Sequence, residues 1–322
     1  MRKSVVMFEN LLDPVIMFFA LGLGAGILKS DLKLPQALYD TLSIYLLVTI
    51  GLKGGIALSS TNISQNIWQL TSPIVLGIML PLIAYPILKR IGRLNIYDSA
   101  AIAAHYGSVS AITFAVVVSF LEERNISYEQ YATVLLVLME VPAILIGIFI
   151  VRFKVSNGEV PWSKLLHDVF LGKSVYLLLG GLLIGYFCDQ SRLDPIKGLF
   201  ITPFKGMLAF FLLEMGIIAS SQLKELRKTG VFLVVFGIGF PLLASVIGAG
   251  IGKMFGLSFG GTVILSTLSA SASYIAAPAA IRIAIPQANP TLYLTSALGI
   301  TFPFNIIVGI PLYFEFVKLL FP

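Results

Sequence analysis

A chain of 322 residues with 57% hydrophobic and only 12% charged residues carries about half the charge of an ordinary soluble domain, so its bulk belongs in a bilayer. The single cysteine, Cys188, excludes a disulfide framework and a cysteine metal cluster. The net charge of +6 is scattered over short loops, which reads as membrane topology and not as nucleic-acid binding.

Helices are expected throughout, because lipid-exposed backbone must satisfy its own hydrogen bonds and the short alternating segments of a membrane barrel are missing. A helical span needs about 20 mostly apolar residues. About ten stretches qualify: 11–29, 35–58, 68–89, 98–121, 129–152, 173–188, 199–221, 230–254, 259–284 and 291–320. Residues 1–10 are polar and the first apolar run is long enough to stay in the bilayer, so no cleaved leader is expected. Thirteen basic residues, among them Lys89, Arg90, Arg152, Lys154, Lys164, Arg227, Lys228 and Arg282, fall on one side of these spans, against seven on the other, including Arg2, Lys3, Arg124 and Lys253. The richer side is expected to face the cytoplasm, which places both termini outside.

The two halves of the chain repeat. "TIGLKGGIAL" from Thr49 in the second span aligns with "EMGIIASSQL" from Glu214 in the seventh, sharing a glycine at Gly51 and Gly216. "EVPAILIGI" from Glu140 aligns with "TFPFNIIVGI" from Thr301, matching Pro142 to Pro303. Spans four and nine, "AHYGSVSAITFA" and "LSASASYIAAPA", each interrupt an apolar run with small and hydroxylated residues. Five spans per half make the second half enter the membrane from the opposite side, so the expected organisation is a first repeat at 1–153, a cytoplasmic linker at 154–172 and an inverted second repeat at 173–322. Inverted repeats point to alternating access around a site near the midplane. If spans four and nine are discontinuous and cross there, half-helix N-termini would draw an anion, and freed carbonyls and helix C-termini would suit a small cation. The competing explanation is that serine, glycine and alanine merely let helices pack closely. That explanation suffices for the glycines of "LGLGAG" (21–26) and "GGLLIG" (180–185).

Six words in register across both halves carry a family resemblance: "GLKGGIAL" (51–58), "YGSVSAITFA" (106–115), "ISYEQYA" (126–132), "EVPAIL" (140–145), "ELRK" (225–228) and "IPQANPTLYL" (285–294). The chain resembles the sodium-dependent bicarbonate transporters of cyanobacterial type, which implies a place in a bacterial inner (plasma) membrane. The resemblance implies an all-α membrane fold similar to sodium/proton antiporters and bile acid symporters, with spans 1, 2, 6 and 7 as a gate domain and spans 3–5 and 8–10 as a core. It implies bicarbonate at Gly107, Ser108, Val109 and Ser110 of the first break and at Ser271, Ala272 and Ser273 of the second, beside which Tyr274 is counted among the candidate binding residues. Sodium as coupling ion would take oxygens from Ser110, Thr113, Ser269 and Glu140, a hard donor set. No other cofactor is expected. The same resemblance extends to a homotrimer and to a cytoplasmic nucleotide-sensing regulatory partner, neither of which the residue pattern itself requires.

Two departures from the family pattern bear on the site. Tyr274 stands where the family has an acidic residue, and Lys53 stands in "GLKGG" where the family has threonine. A lysine near the centre of a span costs about 2.5–3.5 kcal/mol unless paired. Glu214, Glu140 or a bound anion are its expected partners, and Lys53 is counted among the anion-binding residues. His105, just before the first break, is either a proton relay or a packed hydrogen-bonding side chain. Transport of another inorganic or organic anion, coupled to sodium or protons, is the alternative function, and a non-transporting sensor of the same fold is a second. An enzyme is not expected: the spans hold no paired-histidine metal motif and no activated nucleophile.

Overall fold

The computed structural model describes residues 12–61, 63–155, 163, 167 and 169–321, and of 63, 64, 190, 224 and 226–229 the backbone alone. Arg2, Lys3, Lys164 and most of the 154–172 linker lie outside the described residues, as do the side chains of Arg227 and Lys228. Among the described residues the structure is all helical, with no strand. The helices are α1 (Pro14–Ile27), α2 (Gln36–Ser59), α3 (Ile67–Pro86), α4 (Ile96–Gly107), α5 (Ala111–Glu123), α6 (Ala132–Lys154), α7 (Lys173–Phe187), α8 (Gln190–Phe200), α9 (Phe204–Met254), α10 (Phe259–Ser269) and α11 (Ala276–Ala284). A final helical stretch, α12, runs over Pro290–Leu320 and is interrupted by wider π-type turns at Thr295–Thr301 and Asn305–Gly309.

Among the described residues, seven helical segments are long and apolar enough to cross a membrane: Gln36–Ser59, Ile67–Ile91, Ile96–Glu123, Ala132–Lys154, Ser191–Leu223, Gly230–Met254 and Pro290–Leu320. The other three expected spans correspond to shorter apolar helices, Pro14–Ile27, Lys173–Phe187 and Phe259–Ser269. At about 1.5 Å per residue, these fall short of a hydrocarbon core of about 30 Å. The seventh and eighth expected spans join in α9, which bends at Gly230, where φ is +80° and a residue without Cβ is needed.

Local chemistry sets several helix starts. Asp13, Asn95, Ser110 and Ser258 cap α1, α4, α5 and α10, each side chain accepting a backbone N–H of the first turn. Pro73, Pro81 and Pro86 interrupt the hydrogen-bond ladder of α3, whose last turn widens into a π-type turn at Ile87–Ile91.

Two helix pairs approach closely through glycine. On α2, a Cβ at Gly51 or Gly55 would fall 2.3 or 2.1 Å from a backbone oxygen of α7, and Gly181 and Gly185 return the contact. On α1, a Cβ at Gly22 would fall 1.9 Å from the Leu213 carbonyl of α9, and one at Gly216 2.3 Å from the Phe19 carbonyl. In both pairs the helices run side by side in the same direction, and no side chain larger than hydrogen fits between them. The expected close-packing role of these glycine words is what the structure shows, although Gly24 and Gly180 face open space.

Candidate functional site

Helices α4 and α5 are the two arms of one broken span, separated by Ser108, Val109 and Ser110, and the shorter helices α10 and α11 flank a second break, the residues from Ala270 to Ile275. Serine explains the first interruption, because Ser110 takes extended backbone and turns its hydroxyl onto the Thr113 N–H, starting a new helix (3.1 Å). In the second, the Ser273 hydroxyl accepts the Ala277 N–H at 3.1 Å, and Pro278 follows inside the first turn of α11, where its missing N–H costs little.

The breaks are bonded to each other. The Ser110 N–H donates to the Ser271 hydroxyl at 3.1 Å, the Ser110 hydroxyl donates to the Tyr274 phenol oxygen at 3.2 Å, and the Ser273 N–H donates to the His105 carbonyl at 2.8 Å. Four backbone ends therefore converge: the C-termini of α4 and α10 and the N-termini of α5 and α11. Each N-terminus presents unpaired N–H groups and about half a positive charge, and each C-terminus the reverse. Asn305 on α12 holds this junction from outside, donating from Nδ2 to the Ala270 carbonyl at 2.8 Å and accepting from the Tyr313 hydroxyl at 2.6 Å.

A cavity of about 10 Å³ remains at the junction, lined by Val109, Ser110, Ala111, Glu140, Ser174, Ser273, Tyr274 and Ile275. Of the residues expected at the site, Val109, Ser110, Ser273, Tyr274 and Glu140 thus line one space. Glu140, from α6, is 3% exposed. Its Oε1 accepts from the Ser174 hydroxyl at 3.1 Å, while Oε2 is buried with no hydrogen-bond partner. Among the described residues no lysine or arginine pairs with it. Gly107, Ser108, Ser271 and Ala272 lie in or beside the breaks, buried, but do not line the cavity; the Ser108 hydroxyl is likewise buried without a partner. A Cβ at Gly107 would meet the Pro81 ring of α3 at 2.2 Å, so its identity is fixed by that contact. Thr113 is buried in the first turn of α5. Ser269 turns away: its hydroxyl donates to the Leu265 carbonyl at 2.8 Å and packs against Gly248 of α9.

Lys53 has a different partner from any of those expected. Its Nζ lies 3.4 Å from Glu122 Oε1 at the end of α5 and 4.9 Å from the centre of the Phe204 ring. The flexible stem lets the ammonium reach past the middle of its span toward the more exposed end of α5, so Glu214 and Glu140 are not needed. Glu214 Oε2 is instead buried without a partner. Lys53 borders a second cavity, of about 310 Å³, together with Phe114, Val118, Tyr128, Thr133 and Phe204. The Tyr128 hydroxyl donates to the same Glu122 oxygen at 3.2 Å, and burial together with the Glu122 charge pushes this phenol above its usual range, keeping it protonated as a donor. His105 is fully buried, its Nδ1 2.7 Å from the Ala101 carbonyl and its ring stacked on Tyr293 at 4.4 Å. The bond and the stacking fit the packed reading, while Nε2 is buried with no hydrogen-bond partner.

Sequence reasoning missed Ser174, Glu122 and Asn305. A lone asparagine inside "TFPFNIIVGI" was the available signal for Asn305, since an amide in an apolar helix needs a polar partner. Ser174 and Glu122 sit at helix ends, where serine and glutamate are ordinary.

Apolar helices of spanning length around a buried polar junction define a multi-pass α-helical membrane protein. The chain belongs to the Na+-dependent bicarbonate transporter superfamily, whose family model matches residues 14–318. No protein of curated function matches it.

Proposed function

We propose that the protein is a secondary transporter that imports bicarbonate together with sodium by alternating access, with both ions bound where the two breaks cross. The observation that carries this reading is Glu140, a buried carboxylate with an unpartnered oxygen and, among the described residues, no counter-charge, in a cavity that both breaks line. A buried carboxylate without a partner is costly. A sodium ion, as cargo, would supply the missing charge through the hard oxygens of Glu140 and Ser110, with Thr113 close by in sequence. Bicarbonate alone would meet Glu140 as a like charge in a medium of low dielectric. With sodium between them the repulsion becomes attraction, which is a physical reason for the two ions to move together. The N-termini of α5 and α11 would hold the anion by their N–H groups.

A cavity of about 10 Å³ has room for about one water. Bicarbonate therefore requires the junction to open, and the proposed motion is a shift of the core, spans 3–5 and 8–10, against the gate. The paired packings of α2 on α7 and α1 on α9, through repeat-equivalent glycines, support an arrangement of ten segments as two inverted repeats. Lys53 is assigned a place on the approach, as a positive charge in the larger cavity. Ser269, facing α9, is a weaker candidate for a sodium ligand than Ser110.

Tyr274 favours a second reading. With a phenol in place of the family's acidic residue, Glu140 is the one carboxylate that lines the junction cavity among the described residues, and a proton could take the place of sodium in neutralising it. Uptake of radiolabelled bicarbonate into proteoliposomes, with sodium, proton and voltage gradients imposed in turn, tests both. Uptake driven by the sodium gradient supports the symport reading, and uptake driven by protons alone selects the second. Binding without flux under every gradient overturns transport and leaves a sensor.

A further inference from the structure

On the lipid-facing surface, at the ends of α3 and α6, a groove of about 360 Å³ combines features that the transport site does not use. Its walls are Leu82, Tyr85, Pro86, Phe149, Ile150 and Phe153, and its rim carries Lys89, Arg90 and Lys154. The apolar walls are open: Leu82 and Phe149 are about half exposed and Phe153 is 80% exposed. The π-type turn at Ile87–Ile91 carries Lys89 and Arg90 at the end of α3, and the Lys89 ammonium donates to the Leu94 carbonyl at 3.1 Å. Lys154 comes from the end of α6, its Nζ 5.5 Å from the Tyr85 ring centre. No acidic residue lines the groove, and none of the three cations forms an ion pair among the described residues. This is the face on which the sequence concentrates its basic residues.

We propose that this groove is a binding site for one anionic phospholipid of the surrounding bilayer, its phosphate between Arg90 and Lys154 and an acyl chain along Leu82, Phe149 and Phe153. Charge complementarity and position select that occupant. Cations with no carboxylate partner among the described residues, at the level where two spans leave the apolar layer, attract a headgroup of opposite sign. Exposed aromatic walls running back from them match a hydrocarbon chain and offer nothing to a free phosphate. An acidic peptide would satisfy the cations and leave the apolar walls uncovered.

The full chain in detergent provides the test, with lipid retention read by native mass spectrometry and thermal unfolding followed with added phosphatidylglycerol, phosphatidylcholine or glycerol phosphate. The wild type should retain phosphatidylglycerol and be stabilised by it well beyond phosphatidylcholine, with no response to glycerol phosphate. The Arg90→Gln/Lys154→Gln variant should bind phosphatidylglycerol roughly tenfold more weakly. Lys29→Asn/Lys33→Gln, which removes two charges from the same face outside the groove, should bind as wild type does. Phe153→Ser, at a position 80% exposed whose ring stacks only on its neighbour Phe149 among the described aromatic pairs, should weaken retention severalfold. Equal stabilisation by both lipids, an undiminished preference in the groove variant, or protection by glycerol phosphate or by an acidic peptide would overturn the proposal. So would a change of oligomeric state in the groove variant without any change in lipid retention, since the face would then be a contact between copies.

Discussion

Two glutamates, each at the edge of a cavity, are treated in opposite ways. Glu122 is about one-third exposed, paired with Lys53 at 3.4 Å and with the Tyr128 hydroxyl at 3.2 Å, beside a cavity of about 310 Å³. Glu140 is 3% exposed, held by one neutral hydroxyl, beside a cavity of about 10 Å³. The first is already matched by its surroundings, and an exposed pair of that kind is worth about 0.2–1 kcal/mol. The second is buried without a counter-charge, which is among the more expensive things a fold can keep. The difference teaches where to test function first: the pair at Glu122 is satisfied by the fold itself, whereas under the proposed reading the unmatched carboxylate of Glu140 is the one that an ion from outside would complete.

The largest effect should therefore come from Glu140→Gln. The amide keeps the shape and can still accept from Ser174, but it removes the charge. Sodium-driven uptake in proteoliposomes should fall at least roughly tenfold, while the melting temperature holds or rises, because a buried charge has been replaced by a neutral group. A variant that transports normally with unchanged sodium dependence would erase the contrast between the two glutamates. One that loses stability and transport together would make Glu140 a structural residue like Glu122.

A smaller effect should follow from loosening the junction that surrounds Glu140. Ser271→Ala removes the acceptor of the buried Ser110 N–H, at a cost of about 1–3 kcal/mol. Ser110→Ala removes the cap of α5, at about 1 kcal/mol. Both should lower the melting temperature, and both should weaken apparent sodium affinity severalfold more than they lower the maximal rate. Equal loss in the two kinetic parameters would place these serines in the scaffold alone.

The fold and the junction were legible in the sequence to different depths, for physical reasons. Apolar runs of spanning length announce themselves, and serine clusters inside them mark breaks because a hydroxyl offers the backbone an alternative partner. That signal brought Ser110, Ser273 and Tyr274 to one cavity. Span length was less legible: α10 stops after Ser269, where the apolar pattern continues to 284, because the break and not hydropathy ends the helix. Partners were the least legible. Ser269 belongs to the same serine run as Ser271, yet it is the last residue of α10 and turns toward Gly248, whereas Ser271 lies in the break. Glu122 lies 69 residues from Lys53, and nothing in either local sequence points to the other. Periodicity encodes which face a residue occupies, whereas a pair across two helices depends on how those helices are docked.

The smallest effect should come from the matched side of the comparison. Lys53→Thr restores the residue type the family pattern has and leaves Glu122 with Tyr128 and solvent. Since both partners of the pair are about one-third exposed, stability should change by less than about 1 kcal/mol. As a charge on the approach, Lys53 should matter to how often the anion arrives: apparent bicarbonate affinity should weaken severalfold, more so at low ionic strength, with sodium dependence unchanged. The exchange Lys53→Glu/Glu122→Lys keeps the pair and nearly preserves the position of the positive charge, so it should recover most of the wild-type affinity. If Lys53→Thr instead alters the sodium dependence, the lysine reaches Glu140 in another conformation of the transport cycle, and the two glutamates share one cation. If it alters neither affinity nor sodium dependence, Lys53 leaves the transport reading and its pair with Glu122 is structural alone.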